Sequence, residues 1–331
     1  MSEAAIQLRR GHAVMRGLAS DRFGLVVAIF LLCALISQKT PYFLNTTNFS
    51  NIGLAVSYVG IMTAGFTLVM IAGGIDLSIG AVAALSGQVF AYTLNGGTPM
   101  VLAILLAIGA GVLCGLFNSL LMVAIGINAI VGTIATQFLF RGIAYTFGGG
   151  GAASTSIADD TISNLANGKW LGVPIPTWLM LAVFAIIGLT WSLTQFGANI
   201  AAVGGNRVAA RRGGIRVGTT MAAAYAVSAT CAALAGIVLV GLNGGSVPSN
   251  AMGIELTVLA GVIIGGTSLV GGVGSILGAL LGVVGLGILT NGLNLLGVSA
   301  FMKPVAIGIA LLLAISIDSL RQRRRTFRDE R

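Results

Sequence analysis

Long apolar runs recur along this chain, and they constrain its fold more than any other feature. Each run is roughly 16 to 25 residues long, which lets one α-helix cross the hydrocarbon layer of a membrane at about 1.5 Å per residue. Because the chain is 56% hydrophobic and only 8% charged, a soluble fold would lack the polar surface to cover itself. The sequence therefore predicts an all-α fold, a polytopic transmembrane helix bundle of about ten helices, with about eight to ten as the range. The predicted spans are residues 23–38, 52–72, 78–94, 100–124, 128–147, 174–194, 217–241, 254–270, 273–297 and 301–318.

Three of the breaks between these spans are short and rich in glycine. They read "GGID" at 73–76, "AIGIN" at 124–128 and "GGTSLVGGVG" at 265–274. Each can be a loop, or a kink or half-helix inside the membrane. The stretch "IAGGIDLSIG" from Ile71 is similar to "IIGGTSLVGG" from Ile263, with Ser268 standing where Asp76 stands. A true internal repeat and a chance match in a glycine-rich chain both remain open.

Arginine clusters predict which side of the membrane each segment faces. The net charge of +9 is concentrated before the first span, in one central loop and at the end of the chain, as the positive-inside rule requires, and it does not point to a nucleic-acid partner. We therefore predict a cytoplasmic N-terminal arm at 1–22, a transmembrane domain at 23–318 and a basic cytoplasmic tail at 319–331. Within that domain, loop 195–216 is predicted to be cytoplasmic and loop 148–173 periplasmic. Both termini are then cytoplasmic.

The sequence carries no pattern of residues typical of catalysis. The lysines Lys39, Lys169 and Lys303 do not belong to a phosphate-binding glycine loop, and the only histidine, His12, lies in the N-terminal arm. The three cysteines lie in separate apolar runs without the spacing of metal ligands. We expect a chain that is not an enzyme and binds no metal or cofactor of its own. If ATP and Mg²⁺ are used, a partner chain binds them.

Few ionisable residues fall near or within the spans, and each should have a structural or functional reason. A charge at the bilayer centre costs about 2.5 to 3.5 kcal/mol. Asp76 is expected either to cap a broken helix together with Ser78 or to contact a polar solute. Arg141 can snorkel or line a cavity, whereas Glu255 and Lys303 are expected to be interfacial anchors.

Uncharged polar groups inside the spans suit a polyhydroxylated solute, and they equally suit hydrogen bonds between helices. The candidate residues of a translocation pathway are Gly74, Asp76, Ser78, Asn118, Arg141, Glu255, Asn291 and Asn294.

The central arginine-rich loop predicts a short helix outside the membrane. Asn206 is a good N-cap, residues 207–212 form the helix, and Gly213 with Gly214 ends it. Such a helix favours docking to a cytoplasmic partner; the alternative is that its arginines only fix the topology. The candidate docking residues are Asn206, Arg207, Ala209, Ala210, Arg211, Gly213 and Gly214.

Five motifs together resemble one known family. They are "GGIDLSIG" (73–80), "FLFRG" (138–142), "AVGGNRVAARRGGI" (202–215), "GIELTVLAGVIIGGTSLVGGVGSILGALLG" (253–282) and "NGLNLLGVS" (291–299). In order and spacing they resemble the permease subunits of bacterial ATP-binding-cassette importers for monosaccharides of the ribose, xylose and arabinose type. The departures are Thr257, where relatives often carry an acid, and the paired Arg211 and Arg212.

The resemblance implies a multi-pass protein of the bacterial inner membrane that imports a monosaccharide by alternating access, with a pentose such as ribose favoured. It implies a homodimer, an ATPase partner as two copies or one fused tandem chain, and a periplasmic sugar-binding protein. The docking residues named above would form the coupling helix that fits the ATPase. The alternative is an ion-coupled secondary transporter with Asp76 and Glu255 as coupling carboxylates; a membrane enzyme and a selective pore are less favoured.

Overall fold

The computed structural model describes residues 23–147, 155–157, 160–299 and 301–329, with side chains up to residue 316. The predicted arm 1–22 and part of the predicted outer loop, 148–154, lie outside the described residues. The described helices are α1 Phe23–Lys39, α2 Thr46–Ile71, α3 Ile79–Asn95, α4 Met100–Ser119, α5 Ala129–Phe147, α6 Asp160–Asn167, α7 Ile175–Leu193, α8 Gln195–Gly205, α9 Arg207–Arg212, α10 Val217–Asn243, α11 Ile254–Ile264, α12 Ile276–Leu295 and α13 Met302–Asp329. A π-helical turn, Leu120–Ile125, extends α4, and the short strands are β1 Thr155–Ser156, β2 Lys169–Trp170, β3 Val173–Pro174 and β4 Gly245–Ser246.

The helices confirm the predicted fold class of a polytopic helix bundle. Five of the described helices are long and apolar enough to cross a membrane: α2, α4 with its π turn, α7, α10 and α12. Shorter apolar helices are α1, α11 and the first part of α13, Met302–Ser316. Every predicted span falls on a described helix, and the number of crossings stays a prediction.

One span boundary is wrong. The predicted span 254–270 contains only the eleven residues of α11, which ends at Ile264. Gly266 follows with φ of +86°, and Gly271 and Gly272 also have positive φ. Such backbone ends a helix, and only glycine adopts it without strain. At the other end of the chain, α13 continues past the predicted end of its span to Asp329, since arginine is a good helix former.

The centre of the bundle is built from α2 and α10, which pack on each other. Helix α10 also packs on α3 and α4, and α2 also packs on α7 and α12. Glycines let these helices approach closely. A Cβ at Gly236 of α10 would overlap the carbonyl oxygen of Ala83 in α3. A Cβ at Gly115 of α4 would lie 2.5 Å from the carbonyl oxygen of Tyr225 in α10. In a membrane protein such close contacts supply the van der Waals attraction that holds helices together.

The first and second helix breaks, residues 72–78 and 265–275, have similar local geometry. In each, an N–H closes back on the last helical turn: Gly74 donates to the Val69 carbonyl at 2.9 Å and Thr267 to that of Val262 at 3.1 Å. In each break, a side-chain oxygen then accepts a hydrogen bond from the N–H two residues later. Asp76 accepts from Ser78, and Ser268 accepts from Val270. These two turns match the predicted alignment of Asp76 with Ser268. In the same alignment, α11 ends one residue later than α2. The "AIGIN" break is instead a turn at Gly126, with φ of +84°.

Segments that are predicted on the same side of the membrane come together. On the predicted outer side, β1 pairs with β4 in antiparallel fashion, and Asn95 donates to the Ser156 carbonyl at 2.7 Å. The short helix α6, which was not predicted, packs there on α10. On the predicted inner side, the end of α8 lies against both helix breaks. These contacts agree with the predicted topology, which stays a prediction.

Candidate functional site

A buried polar cluster lies at the first helix break, and we call its three residues, Asp76, Ser78 and Asn118, the Asp76 cluster. The Oδ1 atom of Asp76 accepts three hydrogen bonds: from the Ser78 N–H at 3.1 Å, from the Ser78 hydroxyl at 2.6 Å and from the Asn118 amide at 3.3 Å. The same amide also donates to the Ser78 hydroxyl at 2.7 Å. All three side chains are fully buried. Helix α4 thus supplies the amide that the lone carboxylate needs.

The backbone of the first break is held by two further side chains that the predicted pathway did not include. The Thr133 hydroxyl of α5 accepts from the N–H of Leu77 at 3.1 Å, and the Tyr225 hydroxyl of α10 donates to the carbonyl of Ile75 at 3.3 Å. A Cβ at Gly74 would lie 2.9 Å from the Tyr225 hydroxyl, so only glycine lets the tyrosine approach. In the sequence, the only indication of these two roles is that Thr133 and Tyr225 carry hydroxyl groups within apolar spans.

The structure refines the prediction that Asp76 and Ser78 cap α3. The carboxylate does accept the N–H of Ser78, the residue just before the helix. The Ser78 side chain, however, makes no capping hydrogen bond; its hydroxyl donates to Asp76, and its oxygen accepts from the Asn118 amide. Within the described part of the chain, Oδ2 of Asp76 and Oδ1 of Asn118 lack a hydrogen-bond partner. Two buried acceptors are therefore available to a donor.

A second group, Gln137, Arg141 and Glu255, which we call the Arg141 cluster, excludes one of the two alternatives for Arg141 and corrects the expectation for Glu255. Arg141 does not snorkel: it is 8% exposed, and its Nη1 donates to the carbonyls of Pro248 and Asn250 at 2.6 Å each. Glu255 is not an interfacial anchor, since it is 7% exposed and accepts from Gln137 at 2.9 Å. The reason is that the segment before α11 folds over α5, so that carbonyl groups replace water around the guanidinium.

The Arg141 cluster also contains two polar atoms that are buried and unused. Among the described residues, neither Nη2 of Arg141 nor Oε2 of Glu255 has a hydrogen-bond partner. One is a donor and the other an acceptor.

The Asp76 and Arg141 clusters lie next to each other. Gly80, one turn after Asp76, has space for no side chain, because a Cβ there would lie 2.7 Å from Oε2 of Glu255 and 2.5 Å from the Ala251 carbonyl. The N-terminal ends of α3 and α11 therefore meet inside the bundle. Helix N-termini carry partial positive charge and unpaired N–H groups, and many transporters build solute sites from such broken helices.

Two of the predicted pathway residues lie elsewhere. Asn291 exchanges hydrogen bonds with Asn48 of α2, at 3.1 and 2.9 Å, and Asn294 is exposed. Asn291 thus serves the interhelical hydrogen bonding that was the alternative interpretation, and the structure does not bring it to the two clusters.

The predicted short helix in the arginine-rich loop is confirmed as α9. The Asn206 side chain accepts from the N–H groups of Val208 and Ala209, both at 2.9 Å, and Gly213 ends the helix. Gly214 follows with φ of +83°. Ala209 and Ala210 do not share a face, since Ala209 is exposed and Ala210 is buried.

The outer surface of α9 is exposed and positively charged. An open groove of about 270 Å³ is lined by Arg207, Val208, Arg211 and Arg212. Val208 is 63% exposed although it is apolar. A rigid, capped helix with this surface is suited to contact an acidic partner surface.

Comparison with known proteins places the chain among transport permeases. A family model described as "Branched-chain amino acid transport system / permease component" matches residues 48–315. The ribose import permease protein RbsC of Escherichia coli (strain K12) is 34% identical over 90% of this chain and 93% of its own length. RbsC of Bacillus subtilis (strain 168) is 36% identical over 90% and 92%. The L-arabinose transport system permease protein AraH of Escherichia coli (strain K12) is 34% identical over 92% of both chains. No solved structure matches the chain.

Proposed function

This chain belongs to the permease components of ATP-binding-cassette sugar importers, and on that premise we propose that it carries a pentose, ribose in the first place, across the bacterial inner membrane. Membership confirms the resemblance found in its motifs, and it means that the chain is a multi-pass transport subunit and not itself catalytic. The ion-coupled alternative gives way to this assignment.

The proposal of a sugar is carried by the four unpartnered polar atoms of the Asp76 and Arg141 clusters. Three of them accept hydrogen bonds and one donates. Each hydroxyl of a sugar can donate and accept at once, so one polyhydroxylated solute can satisfy both kinds of atom. Two ribose permeases, 34% and 36% identical to this chain, support ribose, as does the motif "NGLNLLGVS" at 291–299, which is similar to theirs. L-arabinose is the second candidate, because an L-arabinose permease is also 34% identical.

The proposed assembly follows from the family. Two copies of this chain form the pathway, two ATPase copies or one fused tandem chain bind below, and a periplasmic sugar-binding protein docks outside. The proposed ATPase contact is the part of the exposed α9 surface that Val208, Arg211 and Arg212 form. Arg207 is not part of it, since its guanidinium donates to the Gly73 carbonyl of this chain. Binding and hydrolysis of ATP by the partner then switch the dimer between outward and inward openings.

The first test is purification of the tagged chain from its native membrane in mild detergent, with mass spectrometry of the proteins that accompany it. We expect an ATP-binding-cassette ATPase and a periplasmic sugar-binding protein. Recovery of the chain alone, after crosslinking as well, would contradict the proposed assembly.

The second test uses the recovered proteins in liposomes with ATP enclosed on the ATPase side. Uptake of labelled ribose should require both ATP and the binding protein, and unlabelled ribose should compete better than L-arabinose or xylose. Stronger competition by another sugar would replace ribose as the substrate. Uptake that persists without ATP would contradict the mechanism.

A further inference from the structure

Three glycine-rich segments, the two helix breaks and the end of α8, meet beside α9 in direct backbone contact. We call Gly73, Gly204, Gly271 and Gly272 the glycine junction. The Gly272 N–H donates to the carbonyl of Ile71, the last residue of α2, at 2.8 Å. A Cβ at Gly204 would overlap that carbonyl and lie 2.5 Å from the Gly272 nitrogen, and a Cβ at Gly271 would lie 2.6 Å from the Gly73 Cα. The end of α8 and both helix breaks therefore touch without intervening side chains.

Arg207, the first residue of α9, adds a hydrogen bond to this junction. Its Nη2 donates to the Gly73 carbonyl at 3.0 Å. Gly73 lies just beyond the C-terminal end of α2, where the helix dipole favours a cation. The guanidinium thus ties α9 to the first helix break across 134 positions of sequence.

We propose that Arg207 is a positioning residue, which together with the glycine junction transmits movement of α9 to both helix breaks. The inference rests on the proposed function, in which an ATPase docks on α9. It assigns Arg207 a role inside this chain that differs from contact with the ATPase.

The connected segments lead to both polar clusters. The first break carries Asp76, three residues after Gly73. The second break begins at the end of α11, whose first turn carries Glu255, and a helix of eleven residues is a rod of about 16 Å. Contacts between glycine backbones contain no side chain that could change its rotamer. A movement of α8 and α9 should therefore move both helix breaks by a similar distance. Nucleotide events in the ATPase can thereby change the sites where we place the sugar.

The link itself is tested on the purified full chain by hydrogen exchange, which requires no partner. The variants are Arg207→Gln, the conservative Arg207→Lys, and Arg216→Gln as the control, an exposed arginine of the same loop. Exchange at the amides of 72–78 and 271–274 should be about tenfold faster in Arg207→Gln, intermediate in Arg207→Lys and unchanged in Arg216→Gln. Equal exchange in Arg207→Gln and Arg216→Gln would overturn the inference.

The coupling role is tested with the reconstituted importer. Arg207→Gln should retain the ATPase and its hydrolysis, while sugar moved per ATP falls about tenfold, and Arg207→Lys should recover part of the loss. Loss of ATPase binding by Arg207→Gln would make Arg207 a docking contact and overturn the inference. Failure of the wild-type chain to bind an ATPase would contradict the proposed function instead, and hydrogen exchange would still decide the link.

Gly204 and Gly205 provide a matched pair for the junction. A Cβ at Gly204 meets backbone, whereas one at Gly205 meets no described atom within 4 Å. Gly204→Ala should lower sugar uptake per ATP as Arg207→Gln does, and Gly205→Ala should not. Equal coupling in the two variants would overturn the role of the junction. If Gly204→Ala does not accumulate, the Arg207 variants decide.

Discussion

Asp76 shows how a carboxylate is kept in an apolar bundle. Burying an unpaired charge is costly, and here one carboxylate oxygen accepts three hydrogen bonds from Ser78 and Asn118. The other oxygen is left without a partner among the described residues. One oxygen of the carboxylate is therefore held by the protein, and the other is the acceptor that we propose for the sugar.

Substitutions at Asp76 separate these two roles. Asp76→Ala removes the acceptor for three donors, at about 1 to 3 kcal/mol for each group left unsatisfied, and should lower both thermal stability and uptake. Asp76→Asn keeps the Oδ1 acceptor that Ser78 and Asn118 use but replaces the free Oδ2 acceptor with an amide donor, so it should retain stability and lose much of the uptake. The measurements are thermal unfolding in detergent and sugar uptake in liposomes. A stable Asp76→Asn variant with undiminished uptake would contradict the proposal that Oδ2 of Asp76 accepts a hydrogen bond from the sugar.

At the scale of elements, the close packing of α3 on α10 depends on a glycine at position 236. Gly236 lies against the backbone of Ala83, and its Cβ would overlap that carbonyl oxygen. Gly109, in the middle of α4, has no described atom within 4 Å of its Cβ position. Two glycines in helix interiors thus have opposite surroundings.

Alanine at these two positions should have opposite effects. Overpacking costs about 1 to 3 kcal/mol, so Gly236→Ala should unfold at a lower temperature than the wild-type chain. Gly109→Ala should be neutral or stabilising, because alanine is the better helix former by about 1 kcal/mol. Thermal unfolding of both purified variants checks this, and equal midpoints would show that the helices can separate at Gly236 at no cost.

At the scale of the whole molecule, the predicted membrane topology assigns exposed positions of the structure to one side of the membrane or the other. The turn at Leu171, which is 77% exposed, belongs to the predicted periplasmic loop. Val208 of α9, 63% exposed, belongs to the predicted cytoplasmic loop. The proposed ATPase contact requires these two positions to lie on opposite sides of the membrane.

Labelling of single introduced cysteines checks this topology. In intact cells, a maleimide that does not cross membranes should react with Leu171→Cys and leave Val208→Cys unmodified until the cells are permeabilised. The unaltered chain is the control, because Cys114 and Cys231 are buried and Cys33 is half-buried. Reaction of Val208→Cys from outside would reverse the topology and exclude α9 as an ATPase contact.

Sequence alone determined the features that depend on neighbouring residues. Apolar run length predicted the helices, since crossing a membrane sets a minimum length. Asn206, Gly213 and Gly214 predicted α9 because caps act within a few residues of the helix end. The predicted break at 265–274 coincides with the break in the structure, whereas the predicted span 254–270 ends too late because it runs through Gly265 and Gly266, which follow the end of α11.

Tertiary structure alone decided which distant groups meet. Asn118 reaches Asp76 across 42 positions, Gln137 reaches Glu255 across 118 and Arg207 reaches Gly73 across 134. The sequence could not select these pairs, nor show that α2 and α10 form the centre. In a membrane the helix faces toward lipid and toward protein are both apolar, so hydrophobic pattern does not tell them apart. Packing of small residues fixes the neighbours, and only the folded bundle shows which backbones are close enough to touch.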